Sequence, residues 1–145
     1  MGKQPFNGHE IAVELSAAEL IPAYTITKFN ATDKTKCNLA GSGDVPLGVA
    51  IPTDEEMMPD GNGGIIKRTG WQIGDFPTIY DDGTLWVILG AAVTADQYCV
   101  PMAGGLGAGL DKTALTLVNI PTILGKYRVG GNIGDIVPVK INNGG

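Results

Sequence analysis

The sequence predicts an all-β fold built from two similar halves. Glycine (22 residues) and proline (9) make up about a fifth of the 145 residues, against about 12% in an average protein. Because 43% of the chain is hydrophobic, this excess indicates short strands joined by turns rather than disorder. One motif also occurs twice. Leu47-Gly48 precedes a glycine turn and Ile65–Lys67, while Leu124-Gly125 precedes another glycine turn and Ile136–Lys140.

The spacing of this motif suggests an internal duplication. The separation of Gly48 from Gly125 is about half the chain, and the weaker match of Tyr24 with Tyr98 has nearly the same separation. Two strand-rich halves of this length predict a duplicated half-barrel, because closing such a sheet would hide its edges.

The N-terminal segment differs from the rest of the chain. Residues 1–9 are polar and rich in turn-forming residues, which is typical of an arm. Ile11, Val13 and Leu15 then alternate with other residues, as in a half-buried strand. A single helical turn over Ser16–Leu20, opened by a capping box, is the competing interpretation of the next segment.

The remaining strands of the first half follow from β-branched and aromatic residues bounded by turns. Thr53–Glu56 is a second capping box and predicts one helical turn. Asp82-Gly83 predicts a hairpin turn, followed by a buried central strand at Leu85–Leu89. The predicted strands that precede this hairpin are Tyr24–Phe29, Thr35–Leu39, Val45–Ile51, Ile65–Thr69 and Pro77–Tyr80.

The second half predicts the same order of elements. Thr94–Pro101 is strand-like, and Ala103–Gly109 predicts a flexible glycine-rich loop. Thr113–Val118 alternates and predicts another strand. Val137, Val139 and Ile141 face one way in the last strand, so the second copy ends on a half-buried strand.

Charge and length exclude several classes of function. The chain of 145 residues predicts one domain, with 10 Lys and Arg against 15 Asp and Glu and no basic block. Nucleic acids and anionic membranes need clustered positive charge, so neither is an expected partner. Residues 1–15 lack the apolar core of a signal peptide. The longest apolar run, Leu85–Val93, is shorter than the about 20 residues of a membrane span.

The sequence predicts no catalytic residue, cofactor or metal ligand. The single histidine, His9, has no partner set for a metal or a triad. Gly105–Gly109 precedes a strand pattern, whereas a dinucleotide motif needs a helix there. Asp54–Glu56 and Asp60 lack the alternating spacing of a calcium loop. Cys37 and Cys99 are interpreted as buried thiols, with a single disulfide left open.

Two aromatic residues are candidates for a binding or subunit interface. Trp71 lies between Gly70 and the polar Gln72, and Tyr80 precedes the predicted hairpin. Large aromatic side chains supply much of the energy of interfaces as well as of cores. Trp71 and Tyr80 therefore could belong to a subunit interface.

The order of the motifs resembles that of the capsid decoration, or cement, proteins of tailed bacteriophages. The resemblance covers about Ile21 to Ile141. It rests on Leu47–Ala50, a glycine turn followed by Ile65–Lys67, then Val93–Tyr98, Leu124-Gly125 and Gly134–Ile141. It implies a β-tulip or small β-barrel body at residues 21–145, preceded by an arm and first strand at residues 1–20. It also implies a homotrimer made in the host cytoplasm that stabilises the expanded lattice from the outer surface of the capsid.

The partner implied by this resemblance is the major capsid protein. An extended arm can add a strand to an exposed sheet edge of that partner, where backbone hydrogen bonds supply affinity. Three arms on one trimer would multiply weak contacts through effective concentration. The residues expected in the capsid-binding arm are Pro5, Phe6, Ile11, Val13 and Leu15.

Two other functions stay open at the sequence level. The first is a head-fibre base or a carbohydrate-binding β module on the virion surface, using Trp71 and Tyr80. The second is an enzyme with a barrel fold, which lacks a convincing acid, base or nucleophile. We therefore expect a structural protein rather than an enzyme.

Overall fold

The computed structural model describes residues 6–11, 14–53 and 56–141, and it describes side chains from Glu10 onward. The fold is all-β, as predicted, with short strands and three single turns of 3-10 helix at Ala103–Gly105, Lys112–Ala114 and Ile120–Thr122. The strands are β1 (Phe6–Glu10), β2 (Ser16–Ala17), β3 (Ile21–Pro22), β4 (Thr25–Phe29), β5 (Lys36–Leu39), β6 (Gly48–Ala50), β7 (Met57–Pro59), β8 (Ile65–Lys67), β9 (Gly70–Trp71), β10 (Ile79–Ile88), β11 (Tyr98–Met102), β12 (Leu106–Leu110), β13 (Gly125–Tyr127) and β14 (Ile136–Ile141).

One large sheet contains most of these strands. Its order is β12-β11-β13-β14-β10-β6-β4-β5-β2, and β1 pairs with β10 beside this path. Two small sheets, β3-β9 and β7-β8, complete the fold. Every strand pair is antiparallel except β2 with β5. Antiparallel pairs need only short connections, which agrees with the many turns in the sequence.

The predicted small all-β fold is confirmed, but its large sheet is not closed into a barrel. Its path ends at β12 on one side and at the two-residue β2 on the other, and no ladder joins these ends among the described residues. An isolated parallel bridge between Leu89 and Gly107 brings β12 back towards the end of β10. The sheet therefore curls in its second half without forming a continuous ring of strands.

The predicted duplication is present, and β10 is shared between the two halves. In the first half, β6 lies between β4 and the start of β10; in the second, β13 lies between β11 and β14. A Cβ atom on Gly48 would collide with the carbonyl oxygen of Tyr80, and one on Gly125 with that of Lys140. Both glycines are therefore required by the same close approach of two backbones.

The predicted repeat is wrong in its second part, the glycine turn. The counterpart of Asn132–Asp135 is Gln72–Asp75, and not the glycine turn that precedes Ile65. In both turns the first backbone N–H donates to the aspartate carboxylate at 2.9 Å. The glycine that precedes this aspartate has φ 91° in the first half and φ 89° in the second.

The β7–β8 hairpin is an insertion in the first half. The separation in sequence between Gly48 and its counterpart Gly125 is larger than the separation between Gln72 and its counterpart Asn132. The first half therefore carries additional residues between Gly48 and Gln72. They include β7, β8 and the acidic segment that contains Glu56. The second half has only a short connection here, but it has a longer segment, residues 111–124, between β12 and β13.

The core consists of one large and two smaller clusters. The large one runs through both halves and includes Ile26, Val49, Val87, Val139 and Tyr127. The second cluster packs Trp71 against small and aliphatic residues, and the third joins Leu15 to Cys37 and Ile79. The smaller clusters lie under β2, β3 and β9, so the segment before residue 21 contributes to the body of the fold.

Three local predictions are wrong for identifiable reasons. Asp82-Gly83 forms no hairpin; it lies inside β10, where Gly83 takes φ 88° and the strand continues into its pairing with β14. Ala103–Gly109 is a turn followed by β12, in which a Cβ on Gly107 would collide with Tyr127 and Val87. Thr113–Val118 is not a strand, since no neighbouring strand pairs with it within the described part of the chain.

Candidate docking surfaces

The N-terminal segment is docked on the protein's own sheet. β1 runs antiparallel to β10, with Glu10 opposite Tyr80 and the backbone N–H of Ile11 donating to the carbonyl of Ile79 at 2.9 Å. Phe6 lies opposite Thr84. The register shifts twice along this short ladder, which leaves fewer regular hydrogen bonds than a continuous pairing would have.

The predicted arm residues do not form one exposed group. Leu15 is 1% exposed and packs against Cys37 and Ile79 in the core, so it is not available to a partner in this conformation. Ile11 is half-buried against the same cluster. Pro5 and Val13 lie outside the described residues. The segment that could leave the body without opening the core therefore ends before Ile11.

β1 nevertheless lies at an edge. Of the strands that the structure describes, only β10 pairs with it. An edge strand presents a row of unpaired backbone groups to a further strand. A partner strand could therefore pair with β1 where it lies, or replace it on β10.

Trp71 and Tyr80, predicted to be interface residues, have different environments. Trp71 is 1% exposed and fills the second core cluster, with the guanidinium carbon of Arg68 5.7 Å from its ring. Its position in the chain's own core does not support an interface role. Tyr80 is half-buried; burial, followed by the negative charges of Glu10 and Glu56, raises the pKa of its phenol.

The β7–β8 hairpin presents apolar side chains to solvent. Ile65 is 68% exposed, and Ile66 and Met57 are also exposed. At its tip the carboxylate of Asp60 accepts hydrogen bonds from the backbone N–H groups of Asn62 and Gly64. These bonds favour the ionised carboxylate and lower the pKa of Asp60. The tip is thus internally ordered, while its apolar residues lack a cover within the described part of the chain.

Arg68 fixes the base of this hairpin to the body. Its Nε lies 3.0 Å from Oε2 of Glu56, within ion-pair range although outside hydrogen-bond geometry. Its Nη1 donates to the carbonyl of Gly70 at 3.0 Å. Glu56 in turn accepts from the hydroxyl of Thr78 at 2.6 Å and from the backbone N–H of Thr53 at 3.1 Å. The last contact is one bond of the predicted capping box, whose central residues lie outside the described part of the chain.

The repeated turns expose one isoleucine each. Ile73 is 74% exposed at the tip of the first turn, and Ile133 is 73% exposed at the tip of the second. Leu117 and Val118, in the long segment of the second half, are exposed to 90% and 86%. Grouped apolar side chains at such exposure are typical of surfaces that a partner covers.

Reactive chemistry is not favoured by the described groups. No set of three or more His, Cys, Asp or Glu is arranged to hold a metal ion within the described residues. Cys37 and Cys99 are buried free thiols, so the open question of a disulfide between them is answered. Burial raises the pKa of Cys37 to about 11 and that of Cys99 to about 12, and a protonated thiol is a poor nucleophile. Within the described ranges, no helix combines the length and hydropathy of a membrane span.

Comparisons with known proteins include a likeness to a solved phage structure. No protein-family model and no curated protein matches the chain. Its fold is similar to that of the crystal structure of the head fiber gp8.5 N base of bacteriophage phi29, with a TM-score of 0.62 and 14% sequence identity. The alignment covers 92% of this chain and 95% of that one. At this identity the likeness shows a shared fold, which extends over nearly the whole of both chains.

Proposed function

We propose that the chain is a structural protein of a phage head that attaches to the outer surface of the capsid. The observation that carries this proposal is the fold shared with a head-fibre base over 92% of the chain. The exposed apolar tips support it, because they are suited to contacts with other proteins.

Attachment would use strand pairing with the major capsid protein. β1 has an unpaired edge among the described strands, so we infer that a strand of the partner pairs with β1 itself. Strand addition gives affinity through backbone hydrogen bonds. If the protein is a homotrimer, its three β1 strands bind together, and the effective concentration of the second and third strands strengthens attachment.

The experiment is co-sedimentation of the purified protein with undecorated heads of the phage that encodes it. The full chain should bind saturably, and a variant lacking residues 1–10 should bind at least about tenfold more weakly, since the backbone pairing is lost. This truncation spares Ile11 and Leu15, so the body should keep its fold. Circular dichroism checks the fold of the variant, and full binding by the folded variant would contradict a role for β1.

Two specific roles are consistent with attachment to the head. A decoration protein would occupy all equivalent three-fold positions and raise the melting temperature of the expanded head. A head-fibre base, which the likeness to the phi29 protein specifically favours, would carry a fibre and leave the melting temperature of the head unchanged. Calorimetry of heads with and without the bound protein separates these roles.

A further inference from the structure

The second half carries a basic cleft that has no counterpart in the described part of the first. Lys126, Arg128 and Lys140 line an open cleft of about 430 Å³ together with Tyr127 and Asp96. The residues of the first half that correspond to Lys126 and Lys140 are Val49 and Tyr80. Val49 is buried in the core and Tyr80 is half-buried beside β1. Within the described residues, the cleft is therefore a feature of the second half alone.

Like charges are crowded in this cleft. Lys126 and Lys140 stand directly opposite each other on β13 and β14, a pairing that destabilises a sheet. The side chain of Lys112 lies close to that of Lys126, and its proximity and positive charge lower the pKa of Lys126. Asp96 is the acidic residue that lines the cleft. Its carboxylate lies 3.9 Å from the ammonium of Lys126.

The distribution of charge over the whole chain has the same asymmetry. Residues 1–82 contain six Lys and Arg against twelve Asp and Glu, a formal charge of −6; residues 83–145 contain four against three, a formal charge of +1. Those four cations are Lys112 and the three that line the cleft. Of the three acidic residues, Asp111 accepts a hydrogen bond from Gln97 and Asp135 one from Asn132. The positive charge of the second half is thus gathered on one surface.

We propose that this basic cleft is a self-association surface that receives the acidic first half of a second copy of the chain. Complementary charge between the two halves selects this occupant. The exposed apolar Leu117 and Val118 belong to the same segment of the second half, residues 111–124, as Lys112. Because the two contacting surfaces are different, the interface is head-to-tail, and such an interface generates a ring when its rotation closes.

The test is sedimentation velocity of the full-length protein and two charge-reversal variants at low and high salt. K126E/K140E should weaken association by at least about tenfold, because close interfacial charge pairs are strongly coupled. K34E/K36E is the matched control: it changes the net charge equally, but at two exposed lysines of the acidic first half, so it should not weaken association. Raising salt to about 1 M should weaken wild-type association and leave K126E/K140E little changed, since the Debye length falls to about 3 Å.

Self-association through the cleft and attachment to the head are tested by different measurements. Unchanged association of folded K126E/K140E would overturn the proposal, as would a wild-type chain that is monomeric at every salt concentration. A monomeric wild type whose binding to heads is lost in K126E/K140E would show that the capsid, and not a second copy, occupies the cleft. Co-sedimentation with heads is measured separately, so failure of one proposal leaves the other intact.

Discussion

The two halves of the molecule share a framework and differ in what they add to it. Both use a glycine in β6 or β13 to let two backbones approach, and both use the same aspartate turn before their last strand. The first half adds β7 and β8, while the second adds residues 111–124 and a basic cleft. The two halves thus share the residues that the backbone requires and differ in the surfaces that could contact partners.

Loss of the large indole in the first half should have the largest effect on stability. Trp71 is buried in a small cluster, and its position in the second half is occupied by Gly131. Trp71→Ala should therefore lower the free energy of unfolding by about 3–5 kcal/mol, as measured by urea denaturation. A loss below about 1 kcal/mol would mean that the cluster collapses around the cavity.

The two motif glycines should respond alike. Gly48→Ala and Gly125→Ala each push a Cβ into the backbone of the next strand, and overpacking of this kind costs about 1–3 kcal/mol. The measurement is the urea midpoint of each variant. Equal losses support the structural equivalence of the halves; a large loss in only one would break it. Gly41→Ala, where a Cβ would meet only a carboxylate oxygen of Asp44 at an ordinary 3.4 Å, controls for the substitution itself.

Arg68, which anchors the β7–β8 hairpin, should contribute less to the free energy of unfolding. Arg68→Met keeps much of the apolar stem and removes the ion pair with Glu56 and the hydrogen bond to Gly70. We expect a loss of about 0.5–1.5 kcal/mol, the net value of a typical hydrogen bond, because the partly exposed ion pair adds little. Hydrogen exchange should rise in β7 and β8 and stay unchanged in β13 and β14. Equal increases in both regions would contradict a local role for Arg68.

The smallest expected effect is a difference in reactivity between the two thiols. Folding keeps Cys37 and Cys99 protonated, since their pKa values of about 11 and about 12 lie above the ordinary value of 9.0. Their contribution to stability is therefore fully present below pH 9 and decreases as pH rises through these values. Neither thiol should react with a thiol reagent at pH 8 in the native state. In rising urea we expect Cys37 to react first, because it packs in the small cluster near β2; earlier reaction of Cys99 would contradict this order.

The sequence predicts those features that depend on local steric or packing rules. Gly48 and Gly125 are identifiable because no other residue fits their positions, and β4 is identifiable from its β-branched residues. The match of Gln72–Asp75 to Asn132–Asp135 is hidden by the insertion, which shortens the separation between equivalent positions of the two halves. The hairpin signal of Asp82-Gly83 fails because β10 continues past Gly83 into its pairing with β14, and the positive φ of Gly83 lies within the strand instead of in a hairpin turn.

The docking surfaces could be predicted only in part. Alternation of Ile11 and Leu15 indicates a half-buried strand but not the surface that buries it, which here is the chain's own core. Trp71 has polar and glycine neighbours in sequence and is nonetheless enclosed by residues distant in the chain. The basic cleft joins residues from residue 112 to residue 140, so only the fold brings their charges together.

The most direct test of the central proposal is electron cryomicroscopy of undecorated heads mixed with the full-length protein. Attachment to the head predicts density for an open, two-halved β-sheet on the outer surface, at a fixed number of copies per symmetry-equivalent site. Three copies at each three-fold site would support the decoration role, and fewer sites with projecting density would support a fibre base. Heads that remain bare at saturating protein would contradict the account.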